Sequence, residues 1–210
     1  MADIYWFVFL AASLLIIITP GQDMVLVMSR SLSQGSLAGI VTAAGVSIGL
    51  MGHTVLATLG LGAILQASGA LFLILKLVGA AYLIYLGIQL LRSKQTNLGF
   101  QQSEQRSLRR LFVQGAFSNL SNPKIALFYF AFLPQFLVGG GEKGATALSL
   151  FILGTAFAIL TFLVKGPIGF FAGNLSVWIR SHPVVLVWLH RSSCAVLVGL
   201  GLKLAFDGRG

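Results

Sequence analysis

Long apolar stretches make up most of the chain, and the polar residues between them fall into a few short clusters. A membrane-crossing helix needs about 20 mainly apolar residues to span a hydrocarbon core of about 30 Å. Stretches of that kind predict spans at Tyr5–Met28, Leu37–Leu65, Ala70–Leu91, Leu111–Leu137, Thr146–Phe171 and Val184–Leu204. Barrel strands would instead alternate apolar and polar residues over about 10 positions, and no segment does so. The expected fold class is all-α, a polytopic membrane protein with six transmembrane helices. The first apolar stretch has Asp3 and no Lys or Arg before it, and it runs past Pro20 without a small-residue cleavage site. It is therefore expected to be a span and not a removable leader.

Composition and charge narrow this picture. Of the 210 residues, 57% are hydrophobic and 9% charged, against about 25% charged in ordinary soluble domains. The formal charge of +9 raises nucleic acid as a partner, but no basic patch carries aromatic platforms, and no nucleic acid is expected. Positive charge collects instead between the third and fourth predicted spans, where Arg92, Lys94, Arg106, Arg109 and Arg110 face a single acid, Glu104. An excess of Lys and Arg marks the cytoplasmic side. Threading the chain from that point puts Arg30 and Arg180 inside, and Gln66–Gly69 with both termini outside. Lys143, Lys203 and Arg209 then lie on the outer side. The single Cys194 cannot form a disulfide within the chain and reads as a small apolar residue of the last helix.

The basic segment 92–110 divides one transmembrane domain, residues 1–210, into two three-helix repeats, 1–91 and 111–210. In each half the first span carries a proline break, the second is long and contains glycines, and the third is a cleaner apolar helix. Three spans per half force the halves into opposite senses, which makes an inverted 3+3 repeat. Such repeats place binding sites near the membrane middle, where discontinuous helices meet. Gly45, Gly49 and Gly52 lie near one side of the second span and are expected to allow close helix packing. Gly166 and Pro167 are read as a packing bend.

The candidate chemistry lies at the two breaks, Thr19-Pro20-Gly21-Gln22-Asp23 and Asn122-Pro123-Lys124. Pro20 has no N–H, so carbonyls near residues 16 and 17 lose their helical partners, and Gly21 lets the backbone open. Freed carbonyls suit an ammonium, and the positive end of a half-helix suits a carboxylate; an amino acid presents both. A carboxylate at mid-membrane costs about 2.5–3.5 kcal/mol. Asp23 is therefore expected to anchor a substrate ammonium or carry a proton, unless it lies at the cytoplasmic interface. Lys124 is expected to meet a substrate carboxylate or to pair with Asp23, and Asn122 adds an amide that donates and accepts. Gln22 and Gln135 are weaker candidates for hydrogen bonding. His53 reads as a proton relay or, with more weight, as a packing residue. Lys76 is expected to snorkel, Lys165 is ambiguous for the same reason, and Tyr82 and Tyr85 are expected at helix contacts or an interface. No metal-ligand spacing, phosphate loop or nucleophile motif is present, so neither an enzyme nor a cofactor is expected. A homo-oligomer is compatible with the chain.

With these residues in view, the chain resembles the LysE/RhtB family of bacterial amino-acid exporters, and its RhtB-like branch most closely. The resemblance rests on TPGQDM at Thr19–Met24, GAAYLIYLGIQLLRS at Gly79–Ser93 and FSNLSNPKIALFYFAFLPQF at Phe117–Phe136, in that order and over nearly the whole length. It implies export of an amino acid or small derivative from the cytoplasm across the bacterial inner membrane by proton antiport. Pro20, Gly21, Gln22, Asp23, Asn122, Pro123 and Lys124 would form the substrate site, with Asp23 and His53 as proton-coupling candidates. Where the family commonly has Pro-Gly-Pro, this chain has Pro20-Gly21-Gln22. Neutral substrates such as homoserine, threonine or branched apolar amino acids are favoured over lysine or arginine, because Asp23 is the one clear intramembrane acid. The rival readings are a cation or heavy-metal exporter and a non-transporting membrane scaffold.

Overall fold

The computed structural model describes residues 3–67, 69–92, 105–138 and 143–206. Expectations for Lys94, Glu104 and Arg209 lie outside these residues. The chain is helical: α1 (Trp6–Ile18), α2 (Gln22–Gln34), α3 (Ser36–Ala67), α4 (Gly69–Arg92), α5 (Leu108–Leu120), α6 (Pro123–Leu127), α7 (Lys143–Ser181) and α8 (Pro183–Phe206). Among the described residues, two helical stretches are long and apolar enough to cross a membrane, Ser36–Gly60 and Ala147–Ala172. A third is added if α1 and α2, bent by 54° at their break, count as one span. A two-residue antiparallel pairing joins Asp3–Ile4 (β1) to Leu137–Val138 (β2).

Each break has a local cause. The missing N–H of Pro20 ends α1, and Thr19 closes it by donating from Oγ1 (2.6 Å) and from its backbone N–H (3.1 Å) to the Leu15 carbonyl. Gly21, in extended conformation, then starts α2. The first span is thus two helices, and it continues to Gln34. The fourth predicted span breaks at Ser121–Asn122 in the same way. Asn122 caps α6 by accepting the Lys124 backbone N–H at 3.1 Å, with Pro123 at the first helical position, where a missing N–H costs nothing. Residues Phe128–Phe132 then widen into a π turn and Leu133–Phe136 tighten into a 3₁₀ turn. Pro134 can offer no N–H to close an α-helical bond there.

Small residues set how closely the helices pack. A Cβ on Gly45 would strike the Phe112 carbonyl of α5, and one on Gly115 of α5 would strike the Thr42 carbonyl of α3. Gly39 faces Gly169 and Thr54 faces Gly154, so α3 and α7 run antiparallel. Gly87 of α4 meets Cys194, Leu197 and Val198 of α8, while Gly201 of α8 meets Ala80 and Ile84 of α4, so this pair is antiparallel as well. Cys194 is buried in that contact. Between these pairs lies an aromatic core in which Phe128 lies 4.7 Å from Phe157 and Phe9 lies 5.4 Å from Phe136. The α7 helix continues through Pro167.

Gly35 makes the turn from α2 to α3 at φ 90°, ψ 169°, a region open to glycine alone at a cost of order 1–3 kcal/mol for other residues. No atom would crowd an added Cβ there. Gly35→Ala should therefore lower the unfolding free energy in detergent by about that amount through backbone strain alone.

Candidate functional site

The two broken segments meet. Asp23, in the first turn of α2, is buried, and its Oδ2 accepts from Asn119 Nδ2 at 2.8 Å and from Lys165 Nζ at 3.2 Å. Asn119 packs against Gly49, about midway along the apolar stretch Ser36–Gly60. The carboxylate therefore sits level with the middle of α3's apolar stretch. Asp23 Oδ1 has no protein partner, nor does Asn119 Oδ1. Pairing to Lys165 offsets the cost of burying both charges.

Lys124 does not pair with Asp23. Its Nζ donates instead to the Ile16 and Thr19 carbonyls, each at 3.4 Å, and a Cβ on Gly21 would lie 3.3 Å from that nitrogen. Ile16 is four residues before Pro20, so its carbonyl is the one whose helical donor the proline removes. A carbonyl expected to hold a ligand's ammonium thus holds, in this state, the protein's own. The contacts are long for charged hydrogen bonds, which run at about 2.7–2.9 Å.

Thr19–Gln22 and Asn122–Lys124 line one cavity of about 320 Å³, completed by Tyr82, Leu86 and Gln89 of α4 and Leu197 of α8. That volume falls within the range of about 300–1,000 Å³ for small-molecule sites. Gln22 Nε2 donates to Ser118 Oγ at 3.1 Å. Asn122 is buried and spends its Oδ1 on the α6 cap. His53 is buried and does not line the cavity. Its Nε2 donates to the Asn119 carbonyl at 3.2 Å, which fixes the proton on that nitrogen and leaves Nδ1 without a protein partner. Its ring lies 5.6 Å from that of Tyr129. Tyr129 in turn donates to the Gly154 carbonyl at 3.1 Å.

Several residues fall elsewhere than expected. Lys165, read as ambiguous, is the ion-pair partner of Asp23. Lys76 does not snorkel; it is buried and has a polar partner. Tyr82, expected at helix contacts or an interface, lines the cavity; Tyr85 is exposed, which does not conflict with the interface position expected of it. Asn119 and Gln89 were not singled out in the sequence. Asn119 carried a signal nonetheless: Ser118-Asn119 and Ser121-Asn122 repeat a polar pair within one apolar stretch.

Residues 14–208 match the family described as LysE type translocator. Over 201 residues the chain is 32% identical to the homoserine/homoserine lactone efflux protein of Salmonella typhimurium, covering 96% of each chain. It is 33% identical over 198 residues to an uncharacterized membrane protein of Bacillus subtilis, covering 90% of this chain and 92% of that one. A Pseudomonas aeruginosa membrane protein is 31% identical over 195 residues, covering 90% of this chain and 89% of that one. No solved structure matches. A family match over nearly the full length, on a helical chain with membrane-length apolar helices, gives the conclusion that this protein is a membrane-embedded transporter belonging to the LysE type translocators.

Proposed function

We propose that the protein exports neutral amino acids, homoserine, threonine or branched apolar ones, from the cytoplasm across the bacterial inner membrane by proton antiport. The observation that carries this reading is the cavity of about 320 Å³ at which Thr19–Gln22 and Asn122–Lys124 converge. The naming of a similar protein as a homoserine/homoserine lactone efflux protein supports the substrate class. Six spans in an inverted 3+3 repeat are supported by the antiparallel pairing of α3 with α7 and of α4 with α8. Gly87 and Gly201 also occupy the same position of two 24-residue helices.

A zwitterion fits the site by exchange. Its ammonium takes the Ile16 and Thr19 carbonyls that Lys124 now occupies, and the displaced Lys124 meets its carboxylate. The side chain is left to an apolar wall at Leu86 and Leu197. Asp23, with one carboxylate oxygen unpartnered and a lysine as its ion-pair partner, is the proton-coupling group. Asp23 and Lys165 do not line the cavity themselves; protonating Asp23 breaks the ion pair and frees Lys165 next to the α2 segment whose first residue, Gln22, does line it. One proton entering against a neutral zwitterion gains about 2.3 kcal/mol per 100 mV, enough for roughly a fifty-fold gradient.

Proteoliposomes loaded with a labelled amino-acid panel and given a pH gradient test this reading. Gradient-dependent efflux of neutral amino acids is expected, and no flux for any member of the panel would refute it. Lys124→Met should weaken binding of homoserine at least tenfold in a titration of the purified protein, since the carboxylate loses its partner. The same substitution should leave binding of an amino alcohol of the same size unchanged or stronger, because the carbonyls are vacated.

A further inference from the structure

We infer that the groove between α2 and α5 is a water-filled entry path that leads carboxylate-bearing substrates from the basic end of the protein to the central cavity, closed at its inner end by Gln22. This rests on the transport reading above. Along α5 and its two caps, Ser107, Arg110, Gln114, Ser118 and Ser121 recur at spacings of three and four, which places them along one helix face. The adjoining face, Leu111, Gly115 and Asn119, is the one buried against α3 and α2, and the face opposite it, Val113, Phe117 and Leu120, is exposed and apolar. From Leu111, where the predicted span begins, to Ser118 the polar stripe rises about 10 Å at about 1.5 Å per residue, close to a third of a hydrocarbon core of about 30 Å. Polar groups facing lipid over that depth would be costly, and irregular polar surface persists in membranes where it lines water.

Three cavities follow this stripe and share walls. A pocket of about 500 Å³ at Arg106, Arg109 and Arg110 also includes Gln114. Gln114 and Gln22 both line the groove of about 690 Å³ between α2 and α5, together with Ser29, Ser118 and Ser121 along its polar side and Val25, Leu26 and Phe117 along its apolar side. Gln22 also lines the central cavity that holds Lys124. Arg106 Nη1 donates to Gln114 Oε1 at 3.4 Å, linking the first two. The three arginines raise the local concentration of a carboxylate at the mouth.

At the inner end, Gln22 Nε2 donates to Ser118 Oγ at 3.1 Å and approaches the Ser118 carbonyl at 3.5 Å, bridging α2 and α5 across the join between groove and cavity. A proline at this position would offer no side-chain donor, so this bridge follows from the glutamine. Breaking one or two exposed hydrogen bonds, each worth about 0.5–1.5 kcal/mol net, opens the way.

The test uses single cysteines in the full-length protein carrying Cys194→Ala, reconstituted in liposomes and exposed on both faces to a membrane-impermeant sulfonated thiol reagent. Ser29→Cys, Gln114→Cys and Ser118→Cys should react at least tenfold faster than Ile48→Cys and Leu163→Cys, which are exposed positions of the apolar stretches. Equal, slow rates would mean that lipid fills the groove and would overturn the proposal. Labelling Ser29→Cys should also cut homoserine efflux at least tenfold relative to the same variant before labelling, and undiminished efflux after complete labelling would equally overturn it. The labelling rates need no transport, so a failure here is separable from the failure of the export reading, which would appear as no flux in the unlabelled parent.

Discussion

Asp23→Asn should abolish gradient-driven efflux, lowering it at least a hundredfold in proteoliposomes. Asparagine is close in shape to aspartate and keeps an acceptor for Asn119 Nδ2, but it neither releases a proton nor balances Lys165. The same substitution should destabilise the protein by about 3–5 kcal/mol, the cost of leaving one partner of a buried ion pair uncompensated. Lys165→Gln should cost a similar amount, since it strands the Asp23 carboxylate. In the double variant Asp23→Asn with Lys165→Gln no charge is stranded, and two amides can share a hydrogen bond, so much of that loss should return. Stability and transport then part company: the double variant unfolds near the parent in detergent but remains inactive. Recovery of gradient-driven flux in it would show that Asp23 serves only to neutralise Lys165 and would move proton coupling elsewhere.

Gly45→Ala should be the most damaging single methyl addition among the described glycines. The added carbon would collide with the Phe112 carbonyl and lie 2.8 Å from its carbon and 3.0 Å from its Cα. All are backbone atoms of α5, which no rotamer change can move. The helices must separate, at or above the upper end of the about 1–3 kcal/mol typical of overpacking. Separating them also draws Asn119 away from Asp23, because α5 carries it. Loss of the monodisperse peak on size-exclusion chromatography and a large drop in melting temperature are expected. Gly60→Ala is the matched control. Nothing lies within 4 Å of its added carbon, and alanine is the better helix former by about 1 kcal/mol, so stability should hold or rise. Equal damage from both substitutions would mean that the α3–α5 contact does not set the helix spacing.

The helices were legible in the sequence because their signal is local. A run of about 20 apolar residues is enough to call for a helix in lipid, where no other backbone arrangement satisfies its own N–H and C=O groups. The predicted ends of α3, α4 and α8 accordingly fall within a few residues of the observed ones. The breaks at Pro20 and Pro123 were legible for the same reason, since a missing N–H is a property of one residue. Where the sequence suggested a single span, it had no local sign of how strongly the chain bends: the 54° between α1 and α2 is set by what each half packs against.

The sequence by itself determined that Pro20 frees the Ile16 carbonyl, that Asp23 and Lys124 stand in apolar stretches, and that small residues line the second span. Each of these follows from residue type and from neighbours along the chain. Only the tertiary structure decided which charge meets which. Asp23 and Lys165 are 142 positions apart, and nothing in the flanking residues of Lys165 distinguishes it from a lysine that snorkels to the interface. That choice belongs to the packing of α2 against α7, where Ser31 Oγ donates to the Gly169 carbonyl at 2.5 Å and fixes the two helices. Lys124, one residue past its proline, instead reaches across to the carbonyls that the other proline exposes. Ion pairs in a low-dielectric interior depend on distance in three dimensions, a quantity that one-dimensional spacing specifies within a helix but not between helices.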